Sequence, residues 1–206
     1  RAFVDFITGE IGVLSYYTKL GIGGWRLDVV DELPALFVQK IRTAVKNENE
    51  NAIIIGEVWE EATTKISYGV RREYFLGEEL DSVMNYPLKN AIISFVKQGN
   101  SERIADCVRE QLDRYPSFVL NSVMNILGTH DTARILSAVG DFNSDGKTKE
   151  ELSRVRYDGT EYELAKNRVK AAALLNYTLA GVPCVYYGDE IGMQGFTDPL
   201  NRRYFE

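Results

Sequence analysis

The chain has 206 residues, with 24 Lys and Arg against 30 Asp and Glu, for a formal charge of −6 at pH 7. Its 45% hydrophobic and 26% charged residues are the balance of a globular protein able to bury a core. The acidic surplus argues against a nucleic-acid partner, no run nears the roughly eighteen apolar residues of a membrane span, and two cysteines with one histidine exclude a disulfide framework and a zinc module.

Phe3, Ile7, Ile11 and Leu14 follow helical spacing and predict one opening amphipathic helix, stopped by Gly21, Gly23 and Gly24. Trp25–Val30 reads as a strand. Asp31 and Pro34 suit a helix start, and Leu33, Phe37, Ile41 and Val45 carry the helix. Ala52–Val58, apolar from Ile53 to Ile55 without alternation, predicts a second strand covered on both faces. A short strand over Ser82–Asn85 precedes a helix on Leu88, Ile92 and Phe95. Ser101 is the expected cap of the next helix, whose inner face carries Ile104, Val108 and Leu112, with Cys107 beside it as a core residue. Val123–Leu127 and Val182–Tyr187 are further strands, separated by a long helix through Ala165, Val169, Ala172, Leu175 and Leu179 that ends by Gly181. Strands alternating with helices predict an α/β fold with a parallel sheet, open or closed as a barrel.

Four of the five candidate strands end at or near an acidic residue: Asp28, Glu57, Asp131 and Asp189. Parallel α/β folds gather the C-terminal ends of their strands on one face, and ligands bind there. Asp28 and Glu57 lie about one βα unit apart, so their strands are expected to be neighbours. Carboxylates so placed can hold a divalent metal or perform acid–base and nucleophilic work. Arg26 stands two residues before Asp28 and therefore on the same strand face. A guanidinium there favours the charged form of Asp28, which suits a nucleophile and discourages a second cation. Glu57, ending an Ile-rich strand, is placed to keep a proton and serve as an acid.

Gly24-Trp25-Arg26-Leu27-Asp28, Gly56-Glu57-Val58-Trp59 and Gly128-Thr129-His130-Asp131 resemble, in order and spacing, the second, third and fourth signature motifs of the α-amylase superfamily, glycoside hydrolase family 13. Val185-Tyr186-Tyr187-Gly188-Asp189-Glu190-Ile191-Gly192-Met193 is similar to that family's motif on the last barrel strand. Leu80–Pro87 resembles a segment of the neopullulanase and cyclomaltodextrinase branch. The resemblance implies a (β/α)8 TIM barrel, of which this chain carries about strands 4 to 8, and a retaining double displacement on α-glucosidic bonds of starch-like glucans or maltooligosaccharides. It makes Asp28 the nucleophile and Glu57 the acid/base, with the two carboxyls about 5 Å apart. Asp131 is the third carboxylate, binding sugar hydroxyls; Arg26 orients Asp28, His130 binds hydroxyls of the same sugar, and Trp59 offers a stacking face.

The family's first motif, an Asp followed by Asn-His on the third strand, is missing, and a whole barrel takes about 250 residues. Together with the opening at Arg1 rather than Met, this leads us to expect residues 1–206 to be the C-terminal part of a catalytic barrel. Alone, such a piece is expected to self-associate through open strand edges and to be weak or inactive. No cofactor is expected; the family's common calcium ligand lies in the missing motif. The compartment expected is the cytoplasm, with secretion of the parent as the alternative. Other functional classes are an α-glucan transglycosylase or isomerase using the same site, a metal-dependent hydrolase, and a silent carbohydrate-binding relative, against which the intact acidic trio argues. Branch members carry Asn-Glu where this chain has Asp31-Glu32. Asp189 and Glu190 are expected to fix the last loop. Asp141–Gly146 opens like a calcium-binding EF-hand loop, but Leu152 stands where that loop requires Glu, so a solvated turn is expected. Gly21–Gly24 fails as a dinucleotide loop because Arg26 takes the third glycine position. The Lys147–Arg156 charge run reads as a solvated face.

Overall fold

A computed structural model of the chain describes residues 2–205. They divide into two units, one formed by residues 2–85 and 111–124, the other by residues 86–110 and 125–205.

The first unit opens with two short helices, α1 (Ala2–Thr8) and α2 (Val13–Lys19), where the spacing predicts one. Gly9 and Gly12 explain the break: the Gly9 N–H closes on Asp5 O and the Gly12 N–H on Gly9 O, turning the chain and leaving Ile11 exposed. Strand β1 (Gly24–Leu27) is shorter than expected, because Val29 takes a left-handed conformation (φ 40°) and Val30–Glu32 form a 3-10 turn. Helix α3 (Ala35–Glu48) starts after Pro34 with no side-chain cap; Asp31 instead pairs with Lys65 at 3.0 Å and accepts a hydrogen bond from Tyr74. Its Val38, Ile41 and Val45 stripe is buried in the core.

Strand β2 (Ile53–Gly56) pairs in parallel with β1, Gly24 beside Ile53 through Leu27 beside Gly56. Ile54 and Gly56 are buried while Ile53 and Ile55 are only half-buried, so one face is less covered than the apolar run implies. Two elements had no sequence reading: the hairpin strands β3 (Ile66–Ser67) and β4 (Val70–Arg71), antiparallel around Tyr68 and Gly69. Both turn residues have positive φ, the geometry two-residue hairpins favour, but Tyr stands where Asn or Asp gives the usual signal. Strand β5 (Ser82–Val83) extends the sheet in the order β1-β2-β5, and Met84 makes a parallel bridge to Met124. One apolar cluster, including Leu27, Val30, Val38, Ile54, Val58, Leu80 and Val83, fills this unit. Tyr115, Val119 and Val123, from the segment around helix α6 (Ser117–Ser122), belong to the same cluster.

The second unit contains α4 (Tyr86–Gln98) and most of α5 (Ser101–Arg114). Asn100, not Ser101, caps α5: its Oδ1 accepts the Arg103 N–H at 3.1 Å. Leu112 is exposed rather than inward; the adjacent Gln111, in the first unit, is buried and exchanges hydrogen bonds with Asn85. Cys107 packs against the second apolar cluster, and burial pushes its thiol up to about 11.

Strand β6 (Met124–Ile126) neighbours β7 (Val182–Cys184), and both are shorter than their apolar runs. Between them lie α7 (Ile135–Val139), α8 (Lys149–Arg154) and α9 (Gly159–Thr178). The charge run is α8, exposed except for Leu152 and opened by a reciprocal Thr148–Glu151 capping box. Residues 141–146 are exposed apart from the half-buried Phe142, and Asp141 pairs with Arg168. Among the described residues no helix is long and apolar enough to cross a membrane.

Candidate active site

The carboxylates predicted from sequence fall into two constellations. In the first unit, β1 and β2 end side by side, and the Glu57 N–H donates to Leu27 O at 3.0 Å. The register thus carries Asp28 and Glu57 one step past the paired ends as neighbours on one sheet face. Parallel strands lie about 4.8 Å apart, so the two side chains start at that separation.

Arg26 joins them. Its Nη1 donates to Asp28 Oδ1 at 2.6 Å, and its Nη2 lies 2.9 Å from Glu57 Oε2, an ion pair by distance rather than an aligned hydrogen bond. Two nitrogens of one planar guanidinium are close together, so the carboxyls are held near one another. Their surroundings differ. The Asp28 side chain is 77% exposed, whereas that of Glu57 is 3% exposed. A solvent-facing carboxylate beside a buried one is an arrangement in which one group can reach an entering ligand while the other is fixed.

Glu57 is fixed by donors on both oxygens. The Val29 N–H donates to Oε2 at 2.8 Å and the Trp59 Nε1–H to Oε1 at 3.0 Å. This corrects the simple reading of the sequence, in which Arg26 serves Asp28 alone and Glu57 sits in an apolar setting. Trp59 is half-exposed, so its ring has an open side while its indole N–H holds Glu57. Val29 carries no sequence signal: it contributes through its backbone, aimed by a left-handed φ that a β-branched residue rarely adopts.

In the second unit, His130 and Asp131 sit in the turn after β6. His130 Nε2 lies 3.0 Å from Asp131 Oδ2, and Arg202 Nη2 lies 3.3 Å from Asp131 Oδ1. Arg202 also donates through Nε to His130 O at 3.0 Å. The Asp131 N–H donates to Thr129 Oγ1 at 3.2 Å. Nothing in the sequence spacing ties Arg202 to Asp131.

Asp189 is separate in kind. It is buried, and the fully buried Arg134 lies 3.3 Å away while also donating to Tyr187 O at 2.6 Å. The Arg134 guanidinium lies 4.8 Å from the ring centroids of both Tyr186 and Tyr187. Burial raises the Asp189 carboxyl to about 6, with Arg134 pulling the other way. Asp189 therefore anchors the loop after β7, as expected. Among the described residues no three His, Cys, Asp or Glu side chains gather into a metal cage.

The family described as "Alpha amylase, catalytic domain" matches residues 7–204. A cyclomaltodextrinase of a Bacillus species is 35% identical over 190 residues, covering 91% of this chain and 28% of that protein. Neopullulanase 2 of Thermoactinomyces vulgaris is 36% identical over 194 residues, covering 93% and 28%. Among solved structures, a cyclomaltodextrinase superposes with a TM-score of 0.74 at 31% identity, covering all of this chain and 30% of that one. The cyclic α-maltosyl-(1→6)-maltose hydrolase of Arthrobacter globiformis, in complex with that sugar, gives a TM-score of 0.71 at 29% identity, covering 94% and 37%. The chain thus spans between a quarter and two fifths of the length of these relatives.

Proposed function

The chain belongs to the α-amylase catalytic-domain family, a (β/α)8 fold of which it forms part, and from that premise we propose that the protein carrying it hydrolyses α-glucosidic bonds of starch-like glucans or maltooligosaccharides with retention. The observation that carries this reading is the single Arg26 guanidinium shared by Asp28 and Glu57 at the ends of two registered parallel strands.

The exposed Asp28 carboxylate attacks the anomeric carbon while Glu57 gives a proton to the departing glycosidic oxygen, leaving a glycosyl ester on Asp28. Glu57, now a base, takes a proton from water, whose oxygen attacks the same carbon and releases the sugar with Asp28 restored as carboxylate. Close carboxyls suit this covalent route; an inverting pair leaves room for water between them. Arg26 orients Asp28. The Val29 N–H and the Trp59 indole fix the direction of Glu57, and the open face of Trp59 suits stacking by a neighbouring sugar. His130 and Asp131, by the motif they match, take the hydroxyls of the reacting sugar.

Proton NMR of the complete protein digesting starch and pullulan tests this. A fresh α-anomer at early time is expected, and product sizes separate hydrolysis from transfer. An initial β-anomer overturns the nucleophile assignment, and no reaction with either polymer overturns the hydrolase reading.

A further inference from the structure

The turn that carries His130 and Asp131 belongs to no helix or strand, so its carbonyls need partners from elsewhere. Arg202 Nε supplies one to His130 O and the Thr132 N–H one to Thr129 O, and a single side chain some seventy positions along the sequence reaches three of these carbonyls. Asn201 Nδ2 lies 2.7 Å from His130 O, 2.8 Å from Thr132 O and 3.3 Å from Thr129 O. The amide carries two hydrogens, so the two short contacts are full hydrogen bonds and the third is shared. Asn201 is 0% exposed, and its chain is held by short-range backbone bonds, Leu200 N–H to Thr197 O and Arg202 N–H to Pro199 O. The Tyr186 hydroxyl donates to Asn201 O at 3.4 Å.

The carbonyls held this way flank Asp131 on both sides, one residue before it and one after. Asp131 itself is then aimed by the Thr129 hydroxyl on its N–H and by His130 and Arg202 on its carboxylate. We propose that Asn201 is a positioning residue: its amide locks the backbone on either side of Asp131, so that this carboxylate points in its working direction before a sugar arrives. The inference rests on the reading that Asp131 grips the reacting sugar. Asn suits the task because it offers two donors and no net charge to a dry cluster of carbonyls. Asp has nearly the same shape but presents carboxylate oxygens to them. Misaiming a binding group by about 1 Å costs about 100-fold in rate.

The test compares Asn201→Asp, Asn201→Ser and Asp131→Asn, singly and combined, in the complete protein. Asn201→Asp is expected to lower kcat about 10- to 100-fold with little change in KM, and Asn201→Ser, which retains one donor, to fall between it and the parent. In the Asp131→Asn background the same Asp substitution is expected to cost less than about 3-fold, since the group it aims is already gone. Equal losses in both backgrounds reduce Asn201 to a structural residue and overturn the proposal. Near-parent turnover of Asp131→Asn alone overturns the underlying reading of Asp131 instead. If Asn201→Asp does not accumulate as folded protein, Asn201→Ser carries the same comparison.

Discussion

Arg26 Nη2 lies 2.9 Å from Glu57 Oε2 while the other terminal nitrogen of the same guanidinium lies 2.6 Å from Asp28 Oδ1. One cation is thus common to a buried and an exposed carboxylate. Such a fork is a property of Arg: the planar guanidinium offers parallel donors in fixed geometry, which the point charge of Lys does not.

Arg26→Lys is therefore expected to lower kcat/KM by at least about 100-fold, because one ammonium cannot orient both groups. Arg26→Met should also destabilise the fold, since the buried Glu57 carboxylate then loses the cation beside it. Steady-state kinetics and urea unfolding check the two halves. Retention of full activity by Arg26→Lys rejects the shared-cation account.

The two carboxylates should separate by substrate. Asp28→Asn is expected to abolish turnover of every glucoside, since no ester forms. Glu57→Gln is expected to slow glucosides with poor leaving groups more than activated aryl glucosides, which depart without a proton. Equal slowing of both substrate types would falsify the acid role.

Asp189 predicts a pH dependence of stability. Its folded value of about 6 lies above the ordinary value of 3.8. Between those pH values the folded chain retains a proton that the unfolded chain releases, so this group's contribution is full below pH 3.8 and is lost as pH rises through about 6. The corresponding free energy is about 3 kcal/mol. From pH 4 to pH 7 the stability difference between Asp189→Asn and the parent is expected to move toward the variant by up to that amount. Urea midpoints at four pH values measure it, and a constant difference rejects the assignment.

Gly56 precedes the proposed acid. A Cβ there falls 2.5 Å from Leu80 Cδ1 and 2.9 Å from Val30 Cγ1, both in the core beneath the site. Gly56→Ala is expected to cost about 1–3 kcal/mol through overpacking, and to lower activity further than stability alone explains, because Glu57 moves with the strand. Thermal unfolding beside kinetics at a temperature where both proteins are folded separates the two effects.

Local pattern was enough to find the strand–helix alternation, the neighbouring positions of Asp28 and Glu57, and the shared face of Arg26 and Asp28, because strand period and helix spacing are written residue by residue. It was also enough to set Asp189 apart as a loop anchor. Local pattern misled where a turn intervened: Gly9 and Gly12 split the first helix, and Tyr68-Gly69 forms a hairpin without its usual residues. Tertiary structure alone decided that Arg26 reaches Glu57 as well, that a strained Val29 points its N–H at that carboxylate, and that Asn201 and Arg202 hold the His130–Asp131 turn. Those contacts join residues distant in sequence through backbone atoms and buried side chains, which have no period and so leave no trace in the order of residues.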